Sequence, residues 1–142
     1  MTAACAGAQE RTCRIEGGHG EYRAGRVLAL RLMDVSRLRY NEQGLIPVVV
    51  QQHDTGEVLM LAWMTASTVR ETIAGGETVF WSRSRAQRWH KGGTSGNVQK
   101  VMSMTADCDA DTLLIRVDQQ GGGACHTGAR SCFHHDVESD DV

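Results

Sequence analysis

Two apolar runs, Ile46-Pro47-Val48-Val49-Val50 and Val58-Leu59-Met60-Leu61-Ala62-Trp63, are separated by the turn-forming Asp54-Thr55-Gly56. Short runs rich in β-branched residues and bounded by turn chemistry predict two strands joined as a hairpin. This commits the middle of the chain to a sheet. Pro47, the single proline, lacks a backbone donor and so belongs among the first residues of a strand or at a sheet edge. Thr65 or Thr68 can cap a short helix reaching Ile73, with Glu71 three residues beyond Thr68 and Gly75-Gly76 as its stop. Further strands are expected over 77–81, 98–105 and 112–118, with Gly- and Ser-rich loops between them. Strands outnumber helices, which predicts a sheet-dominated α+β domain with short helices packed on antiparallel or mixed strands.

A 142-residue chain buries roughly 68–70% of the surface its unfolded form exposes, so one core suffices without staples. Fifteen Lys and Arg against seventeen Asp and Glu leave a formal charge of -2, which calls for neither nucleic acid nor an anionic membrane as partner. No run approaches the roughly 20 apolar residues of a membrane span, and the first residues lack a signal-peptide core, so a cytoplasmic location is expected. Residues 1–35 hold alanines, glycines and scattered arginines without a sustained period, and read as a peripheral or mobile extension. An alternative is a helix over 26–37 with Val27, Leu28, Leu30, Leu32 and Met33 as its apolar stripe. Glu10, Glu16 and Glu21 interrupt the basic bias of a transit peptide, and Met33 is an alternative start. The working domain is expected over 36–135, followed by a solvated acidic tail over 136–142.

Five cysteines, an odd number without a secretion signal, count against a disulfide framework and for metal ligands or reactive thiols. Cys5 and Cys13 stand alone, whereas Cys108, Cys125 and Cys132 crowd together with acids and histidines. In Asp107-Cys108-Asp109-Ala110-Asp111 the carboxylates alternate, so on an extended backbone they share one face and Cys108 points to the other. Three like charges on one face suit a hard cation, Mg²⁺ or Ca²⁺. The plainer reading is a polar turn between strands. An EF-hand is excluded, because Thr112 stands where the loop needs glycine and an apolar strand follows. Cys125-His126 and Cys132, joined with Cys108, supply three soft ligands, the pattern of a catalytic zinc with an open position for water. His126 would then be a fourth ligand or a general base. Buried unreactive cysteines, or a closed structural site of three cysteines and a histidine, are the alternatives. His134-His135, at the edge of the acidic tail, are expected to be solvated.

The stretch 81–96 contains Arg83, Arg85, Arg88 and Lys91 and no acid, so its counter-charge is expected from outside. Glycines that allow close backbone approach, hydroxyls of Thr94 and Ser95, and basic side chains make a phosphate cradle, although no Walker A spacing occurs. Basic residues interleaved with Trp81 and Trp89 equally suit stacking of single-stranded nucleic acid. An exposed Arg-rich loop with both tryptophans in the core is a third reading.

Read in order, Gly44-Leu45-Ile46-Pro47-Val48-Val49, Gly56-Glu57-Val58-Leu59-Met60-Leu61-Ala62-Trp63-Met64, Trp81-Ser82-Arg83-Ser84-Arg85, Trp89, Lys91-Gly92, Thr94-Ser95-Gly96, the Asp107 to Asp111 run, Ala124-Cys125-His126-Thr127-Gly128 and Ser131-Cys132-Phe133 resemble the phosphoribosyl-AMP cyclohydrolases of histidine biosynthesis. The resemblance covers residues 37–135, with one departure at Gly93, where the family usually has glutamate. It implies an obligate-type homodimer with active sites at the subunit interface. Cys108 from one chain, with Cys125 and Cys132 from the other, would hold zinc, and Asp107, Asp109 and Asp111 would hold magnesium. The implied reaction opens the adenine ring of 1-(5-phosphoribosyl)-AMP between N1 and C6, using zinc-activated water, to give a formimino-aminoimidazole-carboxamide ribonucleotide. His126 would transfer the proton, and Arg83, Arg85, Lys91, Thr94 and Ser95 would orient the substrate and its phosphates. The expected partners are therefore a phosphorylated nucleotide and a second copy of the chain, with no nucleic acid and no membrane. A zinc-containing nucleic-acid-binding module is the alternative, and the acids at 107–111 disfavour it by repelling the same phosphates.

Overall fold

The computed structural model describes residues 33–138, and in it the apolar run after Leu45 alternates between buried and half-buried side chains. After a 3-10 turn at Val35–Arg37 come β1 (Ile46–Gln52), β2 (Val58–Met64), α1 (Ala66–Gly75), β3 (Val79–Ser82), β4 (Gln87–His90), β5 (Gln99–Ala106) and β6 (Leu113–Gln119). The expected hairpin forms, with Val48 opposite Ala62 and Val49 opposite Leu61 across the antiparallel β1/β2 pair. β1 also pairs in parallel with β6, and β6 pairs antiparallel with β5, giving a four-stranded sheet in the order β2-β1-β6-β5. The domain is sheet-dominated α+β, with one α-helix among the described residues where short helices were expected.

Pro47 sits near the start of a central strand. It precedes Val48↔Leu113, the first pair of the β6 ladder, so its missing donor falls outside that ladder. Thr65 is the helix cap: its hydroxyl accepts from the Thr68 N–H at 3.2 Å, and the Thr68 hydroxyl accepts from the Thr65 N–H at 2.9 Å. This is a reciprocal capping box with threonine in the place of the usual Glu or Gln. The helix ends at Gly76, whose φ of 71° is the left-handed stop.

Ile46, Val48, Val50, Met64, Leu113, Ile115 and Val117 pack into one apolar cluster with Val69 of α1 and Phe80 of β3. Each fully buried Val, Ile or Leu contributes roughly 1.5–3 kcal/mol. Thr72 on α1 is buried, and its hydroxyl accepts from the Val79 N–H at 2.9 Å while donating to the Val79 carbonyl. A polar bond thus fastens β3 to a helix that buries little apolar surface. The strand registers put Pro47, Val49, Leu61, Trp63 and Leu114 together on the opposite sheet face, where Leu61 is 50% exposed.

The stretch expected as a basic loop is in part a second sheet. β3 and β4 form a hairpin pairing Phe80 with Trp89 and Trp81 with Arg88, turning through 83–86. Part of its counter-charge comes from within the chain, which corrects the sequence expectation: Arg88 pairs with Glu71, while His90 Nε2 is hydrogen-bonded to Glu77 Oε2 at 2.8 Å.

The extension 1–35 and the helix considered over 26–37 lie outside the described residues except at 33–37, where the 3-10 turn stands under an Asp34 cap. Among the described residues, no helix is long and apolar enough to cross a membrane.

Candidate metal and substrate site

β5 and β6 are antiparallel neighbours, so the chain must reverse between Ala106 and Leu113, and the acids occupy that reversal. The sequence reading placed them alternately on extended backbone. The structure places them in a tight turn instead, with the Asp107 N–H donating to the Thr112 carbonyl at 3.0 Å and Ala110 at φ 63°. Asp107 Oδ1 accepts from the N–H groups of Asp111 and Thr112 at 3.1 and 3.2 Å. Curling brings one oxygen each of Asp107, Asp109 and Asp111 within 4.8 Å of one another. The turn and the acidic cluster are therefore the same object. Desolvation pushes the Asp107 carboxyl upward most strongly, but the Thr112 and Asp111 N–H groups together hold it below the usual carboxylate range.

Beside these acids lies a pocket of about 390 Å³ whose walls include Arg39, Tyr40, Trp63, Asp109, Asp111 and Thr112. The Arg83 guanidinium sits 4.6 Å from the centroid of a Trp63 ring, a cation–π distance. Arg85 turns back on Ser82, its Nε 3.2 Å from the hydroxyl, and Thr94 and Ser95 are exposed.

Cys125 and Cys132 share a loop that begins after β6 and returns to β2. The Cys125 N–H donates to the Ala129 carbonyl at 3.1 Å, and the Cys132 N–H to the Leu59 carbonyl at 2.8 Å. The Ser131 hydroxyl donates to the Val58 carbonyl at 2.8 Å, and Arg130 Nε lies 2.7 Å from Glu57. Cys125 is buried and Cys132 exposed. The Thr127 hydroxyl donates to Cys125 Sγ at 3.0 Å; this bond, with the Thr127 N–H, the Cys132 thiol and the Lys91 charge, holds the Cys125 thiol below the usual range. Although Cys132 is exposed as a residue, desolvation of its sulfur and then the neighbouring Cys125 push its thiol up, with the Lys91 charge opposing.

Lys91 is 6% exposed, with its ammonium 5.7 Å from the Trp89 ring centroid. Burial pushes its pKa down, and the neighbouring Cys132 and Cys125 oppose that shift. His126 is exposed beside Cys125. His134 is also exposed, with Nδ1 2.9 Å from the Ser131 carbonyl.

The acids are the one group of three or more metal-capable side chains that converges among the described residues. Cys108, exposed in the acidic turn, does not join Cys125 and Cys132 within one chain. Sequence reasoning missed Thr127, although a hydroxyl two residues after a candidate thiolate is a legible signal. It also did not single out Trp63 and Tyr40, which line the pocket beside the acids.

A family model described as phosphoribosyl-AMP cyclohydrolase matches residues 60–134, a span that contains every candidate residue predicted above. A phosphoribosyl-AMP cyclohydrolase of Magnetococcus marinus is 54% identical over 108 residues, covering 76% of this chain and 83% of that relative. One from Pelotomaculum thermopropionicum is 55% identical over 107 residues, with 75% and 82% covered. The histidine biosynthesis bifunctional protein HisIE of a Nostoc species is 55% identical over 103 residues, which span 72% of this chain and 48% of that longer relative.

Proposed function

The chain belongs to the phosphoribosyl-AMP cyclohydrolase family of histidine biosynthesis, and from that membership we propose a site shared by two copies of its 36–135 domain, with one metal at the thiols and another at the acids. The substrate is 1-(5-phosphoribosyl)-AMP, and the reaction is cytoplasmic. Alkylation at N1 gives the adenine ring amidinium character, which makes C6 electrophilic and N1 a competent leaving group. A water oxygen bonds to C6, the N1–C6 bond breaks, and the departing nitrogen takes a proton, giving the formimino-aminoimidazole-carboxamide ribonucleotide.

The observation that carries this reading is the thiol pair Cys125 and Cys132 beside Lys91, with Cys125 already favoured as thiolate by Thr127. Two thiols are one short of the three-ligand set of a catalytic zinc site. Cys108 of a second copy would complete the set, and the apolar sheet face of Pro47, Val49, Leu61, Trp63 and Leu114 offers that copy a surface. Zinc, when bound, would supply Lewis acidity that lowers the pKa of a bound water to about 7. Asp107, Asp109 and Asp111 would hold magnesium, an oxygen-preferring cation.

The remaining work falls to side chains of the chain itself. His126, exposed next to Cys125, moves the proton between the attacking water and the leaving nitrogen. Arg83, Arg85, Thr94 and Ser95 orient the ribose phosphates, and Lys91 orients the substrate from its buried position beside the thiols.

Ring opening followed by ultraviolet absorbance tests the reading. Chelation should abolish turnover and zinc should restore it, while full activity in the zinc-free chain would refute the catalytic metal. Cys108→Ser and Cys125→Ser chains should each be inactive, yet unfolded and refolded together they should recover about a quarter of wild-type activity, because half the dimers carry one intact site. Absence of recovery would refute the shared site. His126→Ala should lower kcat roughly 10²–10⁴-fold with zinc retained.

A further inference from the structure

The loop from Lys91 to Ser95 and the loop carrying Cys125 are separate in sequence, yet both lean on one residue, Asn97. Its Oδ1 accepts from the Gly122 N–H at 3.0 Å, and its own N–H donates to the Ser95 hydroxyl at 3.3 Å. Its carbonyl accepts from Gln119 Nε2 at 3.3 Å, and the same Nε2 donates to the carbonyls of Val98 and Gln120. The packing allows no slack around it. A Cβ at Gly121, whose φ is +73°, would lie 2.0 Å from Asn97 Oδ1, and a Cβ at Gly92 would lie 2.3 Å from the Asn97 carbonyl carbon. Both positions therefore exclude side chains because Asn97 fills the space between the two loops.

We propose that Asn97 is a positioning residue that sets the substrate-orienting loop 91–95 in register with the loop carrying Cys125 and His126. This rests on the reading that the first loop holds substrate and the second holds the reacting water and proton. Asn97 touches neither. It fixes the distance between them, and reaction rates depend steeply on such distances, since a misplacement of about 1 Å can cost roughly 10²-fold. Each loop keeps its own internal bonds without Asn97, Gly96 N–H to the Gly92 carbonyl in one and Cys125 N–H to the Ala129 carbonyl in the other. Loss of Asn97 therefore leaves substrate binding and metal binding intact and damages the step that needs both.

Asn97→Ala should lower kcat by roughly 10²-fold. KM should change less than about threefold, with zinc stoichiometry unaltered. Asn97→Asp, which keeps an oxygen for the Gly122 N–H, should restore most of kcat. Gly121→Ala, which drives a methyl into Oδ1 from the other side, should reproduce the loss confined to kcat. Any of three results would overturn the proposal: a raised KM with kcat preserved, loss of zinc, or an Asn97→Asp chain as impaired as Asn97→Ala. Unfolding of both the Asn97→Ala and Gly121→Ala chains would make the role structural and also overturn it. Amide hydrogen exchange at Gly122 is read without turnover and should accelerate in Asn97→Ala. Unchanged exchange refutes the clamp even if wild-type protein fails to open the ring, a failure that would instead refute the proposed reaction.

Discussion

Replacing Gln99 by leucine removes an amide from the core at nearly constant volume. Gln99 is fully buried; its Nε2 donates to Gln119 Oε1 at 2.9 Å and contacts the Met60 sulfur at 3.5 Å, while its Oε1 accepts from the Thr78 hydroxyl at 2.9 Å. Leucine leaves the buried Thr78 hydroxyl without its acceptor and Gln119 Oε1 without its donor. Each orphaned group costs about 1–3 kcal/mol, so the expected loss is about 2–6 kcal/mol. That is a large part of the 5–15 kcal/mol by which domains are typically stable. Urea unfolding followed by tryptophan fluorescence, at one fixed protein concentration, should show a lower midpoint with an unchanged slope. Thr78→Val in the same chain removes one of the two orphans. The double variant should therefore be less destabilised than the sum of the singles, with a coupling of about 0.5–3 kcal/mol. A Gln99→Leu protein within about 0.5 kcal/mol of wild type, or strict additivity with Thr78→Val, would refute the network argument.

Lys91→Met should weaken zinc binding about tenfold at neutral pH, measured by chelator competition, because the ammonium beside Cys125 and Cys132 favours their deprotonated forms. Thr127→Val should move the pH midpoint of Cys125 alkylation upward in metal-free protein, and Thr127→Ser should leave it in place. The folded Asp107 carboxyl titrates below its usual 3.8, so its stabilisation of the acidic turn is complete above that value and lost as pH falls through the folded midpoint. A carboxyl resonance of Asp107 titrating above 3.8 in the metal-free chain would contradict this.

The strands that carry β-branched runs were legible because burial on one face leaves a period of two, as in β1 and β6. β4 was not, because Gln87-Arg88-Trp89-His90 carries no apolar alternation and pairs instead through Phe80↔Trp89, an Arg88–Glu71 ion pair to α1 and a His90–Glu77 hydrogen bond. The parallel pairing of β1 with β6 joins residues some sixty-five positions apart, as in the Gln51–Arg116 contact, and nothing local encodes it. The acids do lie together, but for a different geometric reason than their alternation suggested. Ala110 adopts a left-handed φ that alanine does not advertise, and it is the turn, not the pleat, that gathers the carboxylates. Burial of Lys91 was equally invisible, since a lysine in a basic run reads as solvated until Trp89 and the thiols are seen around it.

The topology also bears on how many chains a site needs. Cys108 lies in the turn that enters β6, and Cys125 lies in the loop that leaves it. Leu113–Gln119 is seven residues of extended chain, so the two cysteines are tethered to strand ends about 20 Å apart. Among the described residues Cys108 does not converge with Cys125 and Cys132. The basic hairpin reaches towards both ends: Arg83 lies on Trp63 beside the acidic pocket, and Lys91 lies beside the thiols. The core follows the same polarity. The buried residues of β6 run Leu113, Ile115, Val117 and then Gln119, so apolar packing gives way to amides beneath the loops of Asn97 and Cys125. The shared site proposed above would accordingly set the acidic end of one copy against the thiol end of the other.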